Sequence, residues 1–203
     1  MNTRTRRASW WRWLIATELV CVAAAALAPC FAQSQDDLKR RFEEAEKRIV
    51  HIRPEAFPAL PGSIVRELQR RGCGIPQEAM TKTPHNVIRG EFAKRGQTDV
   101  AVLCSVNGVS TILVFWNGSV RNVAAIGPGE DRGYLQTVTA TDIGFSRAIQ
   151  PVGKNFIMRH YREYGGPKPP PIDHQGIDDA FVGKASVTWY FHAGKWMCLS
   201  GAD

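Results

Sequence analysis

The sequence predicts an α+β fold: two N-terminal helices packed on a mainly antiparallel β-sheet, in a single domain. Two observations carry this. Apolar residues recur at steps of three and four through 34–72, the spacing of one helix face. From Asn86 onward the period changes to two, in short runs rich in β-branched and aromatic residues and separated by Gly, Asn and Asp turns, the pattern of strands joined by tight connections.

The 203-residue chain opens with a basic head, Arg4, Arg6, Arg7 and Arg12, then an apolar run over 13–28, then Pro29-Cys30-Phe31-Ala32 before polar Gln33. That order is the signal-peptide pattern, and small side chains at Cys30 and Ala32 place cleavage after Ala32. A retained anchor is the poorer reading, because the run is shorter than the ~20 residues a span needs and carries Glu18. Leu27-Ala28-Pro29-Cys30 looks like a lipobox, but with Pro29 where Gly, Ala or Ser is wanted. Arg6-Arg7 lacks the apolar residues that usually follow a twin-arginine pair. Export to the periplasm or the cell exterior is therefore expected, with no stable membrane span after cleavage.

Residues 33–203 suffice for one domain with its own core, helical over 34–72 and β-rich over 86–203. The formal net charge of the whole chain is +7, and four of its arginines sit in the leader. The remaining cations are scattered among Asp and Glu, so no nucleic-acid footprint follows.

The first helix starts at Ser34, with Asp37 three residues on, and puts Leu38, Phe42, Ala45, Ile49 and Ile52 on one face until Pro54 stops it. A second helix spans 63–71, with Ile64, Val65 and Leu68 inward and Gly72 as its end. Strands are expected at 87–92, 100–106, 111–116 and 120–126. Asn107-Gly108 and Asn117-Gly118 are hairpin signals between them. Weaker strands follow at 135–140, 146–151 and 156–161. The proline-rich stretch 165–171 is a loop with a stiff, extended end. A last hairpin runs over 185–191 and 195–199 around Ala193-Gly194, with Val187, Trp189 and Phe191 on one face and Ser186, Thr188 and Tyr190 on the other.

Three cysteines remain after cleavage: Cys73, Cys104 and Cys198. An exported chain permits a disulfide. Cys73 with Cys104 is the preferred pair, since the former ends a helical segment and the latter lies in the first long strand. Cys198, between Met197 and Leu199, is expected to be a buried free thiol.

Val87-Ile88-Arg89-Gly90-Glu91-Phe92, followed by Gly96-Gln97-Thr98-Asp99-Val100-Ala101-Val102, resembles the β-unit of FG-GAP and VCBS-type repeats. Ile172-Asp173-His174-Gln175-Gly176-Ile177-Asp178-Asp179 is similar to another part of that motif. The resemblance implies loops that bind calcium through several oxygens. The first loop departs from it, with Lys94 and Arg95 in place of acidic ligands. The second keeps Asp173, Asp178 and Asp179 as candidate metal ligands, the alternative being a turn whose carboxylates cap backbone N–H groups. The cadence at 73–77, 86–92 and 101–105 is also similar to a group of uncharacterised exported bacterial proteins.

No catalytic residue is assigned, because no nucleophile elbow, His-Glu-x-x-His or phosphate-cradling loop is present. His160, His174 and His192 are the histidines to weigh, and His174 with Asp178 or Asp179 forms a base and orienter in a hydrolase reading. Rings at Phe115, Trp116, Trp189, Tyr190 and Trp196 are read mostly as core, with a glycan- or peptide-contacting face as the other option. The expected function is a non-catalytic binding or cell-envelope-associated module for an unknown protein or glycan ligand. A hydrolase and a calcium-stabilised adhesion domain are the alternatives.

Overall fold

The computed structural model describes residues 35–201. The leader 1–32, its cleavage point and the Ser34 cap lie outside the described residues. The fold is α+β, with three helices and several antiparallel sheets among the described residues. Contacts divide the chain after Glu43. The first unit contributes most of helix α1 (35–47), where Leu38 is exposed and Phe42 half-buried. All that follows belongs to residues 44–201.

α1 stops at Lys47, short of the expected end at Pro54. Ile49 and Ile52 leave the helix because the β-branched stretch around them finds a pairing partner. His51–Ile52 (β1) pairs antiparallel with Ile75–Pro76 (β2), and Gln77 N–H donates to the Val50 carbonyl at 2.9 Å. Helix α2 (Gly62–Arg70) falls where the apolar spacing puts it and buries Ile64 and Leu68. Its C-terminus closes with Gly72 N–H to Gln69 O and Cys73 N–H to Leu68 O, the paired bonds of a glycine-terminated helix.

Strands β3 (Val87–Gly90), β4 (Asp99–Val106), β5 (Val109–Phe115) and β6 (Val123–Glu130) form an antiparallel meander in that order. Asn107 and Gly108 make the two-residue β4–β5 turn with φ of 52° and 76°, the left-handed pair that matches strand twist. Asn117-Gly118 sits instead in a 3-10 turn, Trp116–Gly118, within a longer β5–β6 connection. β4 is buried residue after residue from Asp99 to Ser105, because both faces of the sheet are covered. On one face Val100, Val102, Cys104, Leu113 and Phe115 pack against Ile64, Leu68, Phe57 and Leu60. Cys73 and Cys104 are disulfide-bonded beneath α2, with Cα atoms 5.3 Å apart and a sequence separation of 31. Closing a loop of that length removes about 3–4 kcal/mol of unfolded-chain entropy.

The other face, with Ala101, Leu103, Ile112 and Val114, lies toward a second sheet of order β12-β11-β10-β9. Its strands are β9 (Arg147–Val152), β10 (Gly176–Phe181), β11 (Ala185–His192) and β12 (Lys195–Ser200). β9 carries Arg147 across to Ser110 of β5 and Gly127 of β6. β7 (Leu135–Thr137) and β8 (Ile143–Phe145) form a small separate ladder.

The expected strand at 156–161 is helix α3 (Lys154–Tyr164). Phe156, Ile157, His160, Tyr161 and Tyr164 recur at helical spacing between Gly153 and Gly165, so the apolar period was 3.6 and not 2. α3 covers the outer face of the second sheet through Ile157 and Phe156 against Tyr190, Leu199 and Val152. The helical part of the fold is thus not confined to the N-terminal side. The alternation read for 185–191 holds: Thr188 and Tyr190 face α3, while Trp189 and Phe191 face the first sheet.

Candidate functional site

Asp99 is fully buried and explains what the cation-bearing loop after β3 does without acidic ligands. Its carboxylate accepts from Phe92 N–H and Ala93 N–H at 2.9 Å each, from Gln97 Nε2 at 2.7 Å and from Asn117 N–H at 2.7 Å. Four donors satisfy this charge within the chain, so it organises the loop by itself.

The three carboxylates expected to gather as a metal site do not come together, and among the described residues no group of three or more His, Cys, Asp or Glu is placed to hold a metal ion. The reason is the strand period. Asp178 and Asp179 are successive residues of β10 and point to opposite faces, while Asp173 stays exposed in the loop before it. Asp178 faces α3, with Gln150 Nε2 donating to it at 3.0 Å. Asp179 faces inward to Arg147. His174 Nδ1 lies 2.9 Å from the Gln175 carbonyl, not against Asp178. His160 is buried on α3 between Phe156 and Tyr164, and His192 closes the β11–β12 hairpin opposite Lys195. Cys198 is exposed on edge strand β12, not buried, because Leu199 takes the inward position beside it.

Sequence reasoning missed the principal polar cluster. Arg147, fully buried, donates through Nε and Nη2 to the two Asp179 oxygens at 2.8 and 2.7 Å, and through Nη1 to Ser110 O and Oγ at 2.9 Å each. Its remaining Nη2 hydrogen goes to Gly127 O, so all five donors are used. Burial works against the guanidinium charge, but Asp179 outweighs it and the Arg147 pKa is raised. Gly127 has φ of 58°, and a Cβ there would sit 3.0 Å from Asp179 and 3.1 Å from Arg147. The Tyr134 ring lies 4.5 Å from the guanidinium, and burial raises its hydroxyl pKa.

Beside it, Asp131 accepts from Ser105 Oγ at 2.5 Å, with His51 Nε2 at 3.4 Å. Burial pushes the Asp131 pKa up, yet hydrogen bonds from His51, Ser105 and Ser110 outweigh it and hold it below the usual carboxylate value. Ser105 Oγ and His51 Nε2 meet the same Asp131 oxygen, so this one carboxylate ties β1, β4 and the turn after β6 together. An arginine in an apolar alternating run was the available signal for Arg147, whereas nothing local marks His51, Ser105 and Asp131 as neighbours.

Outside the core, Trp116, Phe191 and Trp196 form a half-buried ring cluster. Trp116 lies 4.8 Å from Phe191 and is stacked on Trp196 at 5.6 Å and 21°. Trp116 also lines an open cavity of about 440 Å³ with Arg71, Arg121 and Asn122. Arg71 is anchored by Glu67 at 2.7 Å, whose carboxylate Arg70 and Arg71 hold down to about 2. Two further cavities flank Glu78, whose oxygens are already used by Met80 N–H and the Thr81 hydroxyl.

In comparisons with known proteins, no protein family, curated protein or solved structure matches the chain.

Proposed function

We propose that this chain is an exported, non-catalytic binding module of the periplasm or cell exterior, and that its ligand, a protein or a glycan, meets the face built around Trp116. The observation that carries the reading is the ring cluster at the cavity edge. Trp116 is held by two neighbouring rings, so a ligand stacking on it meets a surface already ordered, and little side-chain entropy is lost on contact. Two charged groups of the interior are saturated from within the chain: Arg147 spends every donor on the protein, and Asp99 receives four hydrogen bonds. A leader over 1–32 supplies the route out of the cytoplasm, and the Cys73–Cys104 disulfide fits an oxidising compartment. Among the described residues no helix is long and apolar enough to cross a membrane.

The test is a glycan and peptide array probed with residues 33–203 and with the Trp116→Ala variant. Hits that vanish in the variant support the reading. Hits that persist place the ligand elsewhere, and turnover in a hydrolase screen that His174→Ala abolishes replaces the reading with an enzyme.

A further inference from the structure

Resting on that reading, we propose that the Trp116 cavity takes a carboxylated saccharide, an acidic sugar of the uronic type. The lining supplies the three chemistries such a ligand needs. Trp116 offers an aromatic surface, which suits the C–H face of a pyranose ring. Arg71 and Arg121 bring two guanidiniums, and no carboxylate lines the cavity. A planar guanidinium pairs two N–H groups with the two oxygens of a carboxylate, a match that ammonium groups do not offer. Asn122 adds an amide, with a carbonyl acceptor and NH₂ donors suited to sugar hydroxyls.

The two arginines are held differently. Arg71 caps the end of α2 and is tied to Glu67 through Nε, which fixes its position at the cavity wall. The Arg121 guanidinium makes no hydrogen bond or ion pair among the described residues and is exposed. Its backbone N–H donates to Ser119 Oγ at 3.2 Å, and the chain before it turns through Asn117 at φ 50°, so the loop that presents Arg121 starts from the Trp116 turn itself. Arg121 is therefore the charge free to engage a ligand, and Arg71 the fixed one opposite.

The experiment is calorimetric titration of residues 33–203 with polygalacturonate, with neutral dextran and with poly-glutamate, each repeated for Arg121→Gln, Trp116→Ala and a distant control, Lys82→Gln. The expected result is binding of polygalacturonate alone, weakened about tenfold or more by Arg121→Gln and by Trp116→Ala, as loss of a charge-assisted hydrogen bond implies, and unchanged by Lys82→Gln. Dextran binding that needs Trp116 but not Arg121 overturns the acidic-sugar assignment while leaving the binding-module reading in place. Equal binding of poly-glutamate, indifferent to Trp116→Ala, reduces the site to bare charge and overturns it as well. No binding of any of the three overturns the assignment, and the array then decides whether the Trp116 face binds anything. Melting curves of each variant separate lost binding from lost folding.

Discussion

Arg147 of β9 and Asp179 of β10 form a two-point ion pair inside the protein, at 2.8 and 2.7 Å, with side-chain exposures of 0% and 5%. Their Cα register is offset, since Asp179 sits opposite Ile149 and Arg147 opposite Phe181. The guanidinium therefore reaches diagonally along its own sheet and across to Ser110 and Gly127 of the other. A charge pair of this kind is costly to desolvate, and its removal as a unit is better tolerated than the loss of one partner.

Arg147→Met should accordingly lower unfolding free energy by about 3–5 kcal/mol, because it strands the Asp179 carboxylate in the interior. The double variant Arg147→Met with Asp179→Leu should recover a good part of that loss. Urea unfolding of the two variants beside the parent measures both. Equal stability of single variant and parent contradicts a buried pair.

Asp131 gives the pH dependence. Its folded-state pKa is depressed by His51, Ser105 and Ser110 against the pull of burial, so the unfolded chain binds the proton more readily. The stability from this group is fully present above the ordinary carboxylate value of about 3.9 and is lost as pH falls through the folded value. Thermal melts between pH 6 and about 3 should show an acid-side decline that is shallower in Asp131→Asn. An identical slope in the variant removes Asp131 from the account.

Thr188 offers a test with the opposite sign. It is fully buried on the α3 face opposite Asp178, and its hydroxyl has no hydrogen-bond partner. Replacing an unpaired buried hydroxyl with a methyl of similar shape removes a desolvation cost. Thr188→Val should hold or raise the melting temperature. A drop equivalent to more than about 1 kcal/mol, the worth of a typical hydrogen bond, contradicts an unpaired hydroxyl.

These tests fall on residues of unequal visibility in the sequence. The meander, α2, the last hairpin and the Cys73–Cys104 bridge were legible because each rests on local signals: an apolar period, a two-residue turn, a helix stop beside a cysteine. α3 reads as a strand in the sequence because Phe156, Ile157 and Tyr161 are residue types that strands also favour, and these mask the 3.6-residue period beneath them. Asp178 and Asp179 looked like loop ligands because adjacent carboxylates resemble a turn; as strand residues they part to opposite faces. The Arg147 cluster draws on β5, β6, β9 and β10, and such convergence has no short-range trace. The cavity at Trp116 likewise joins the end of α2 to the β5–β6 connection, two segments that no pattern in the sequence links.

Ligand contact at the Trp116 face is tested most directly by the indole N–H signals. Residues 33–203 hold three tryptophans, Trp116, Trp189 and Trp196, so a ¹⁵N-labelled sample gives three indole resonances, assigned by Trp116→Phe and Trp196→Phe. Titration with ligand should move the Trp116 resonance most, with a smaller shift at Trp196, its stacking partner. Binding that leaves the Trp116 signal in place contradicts the account.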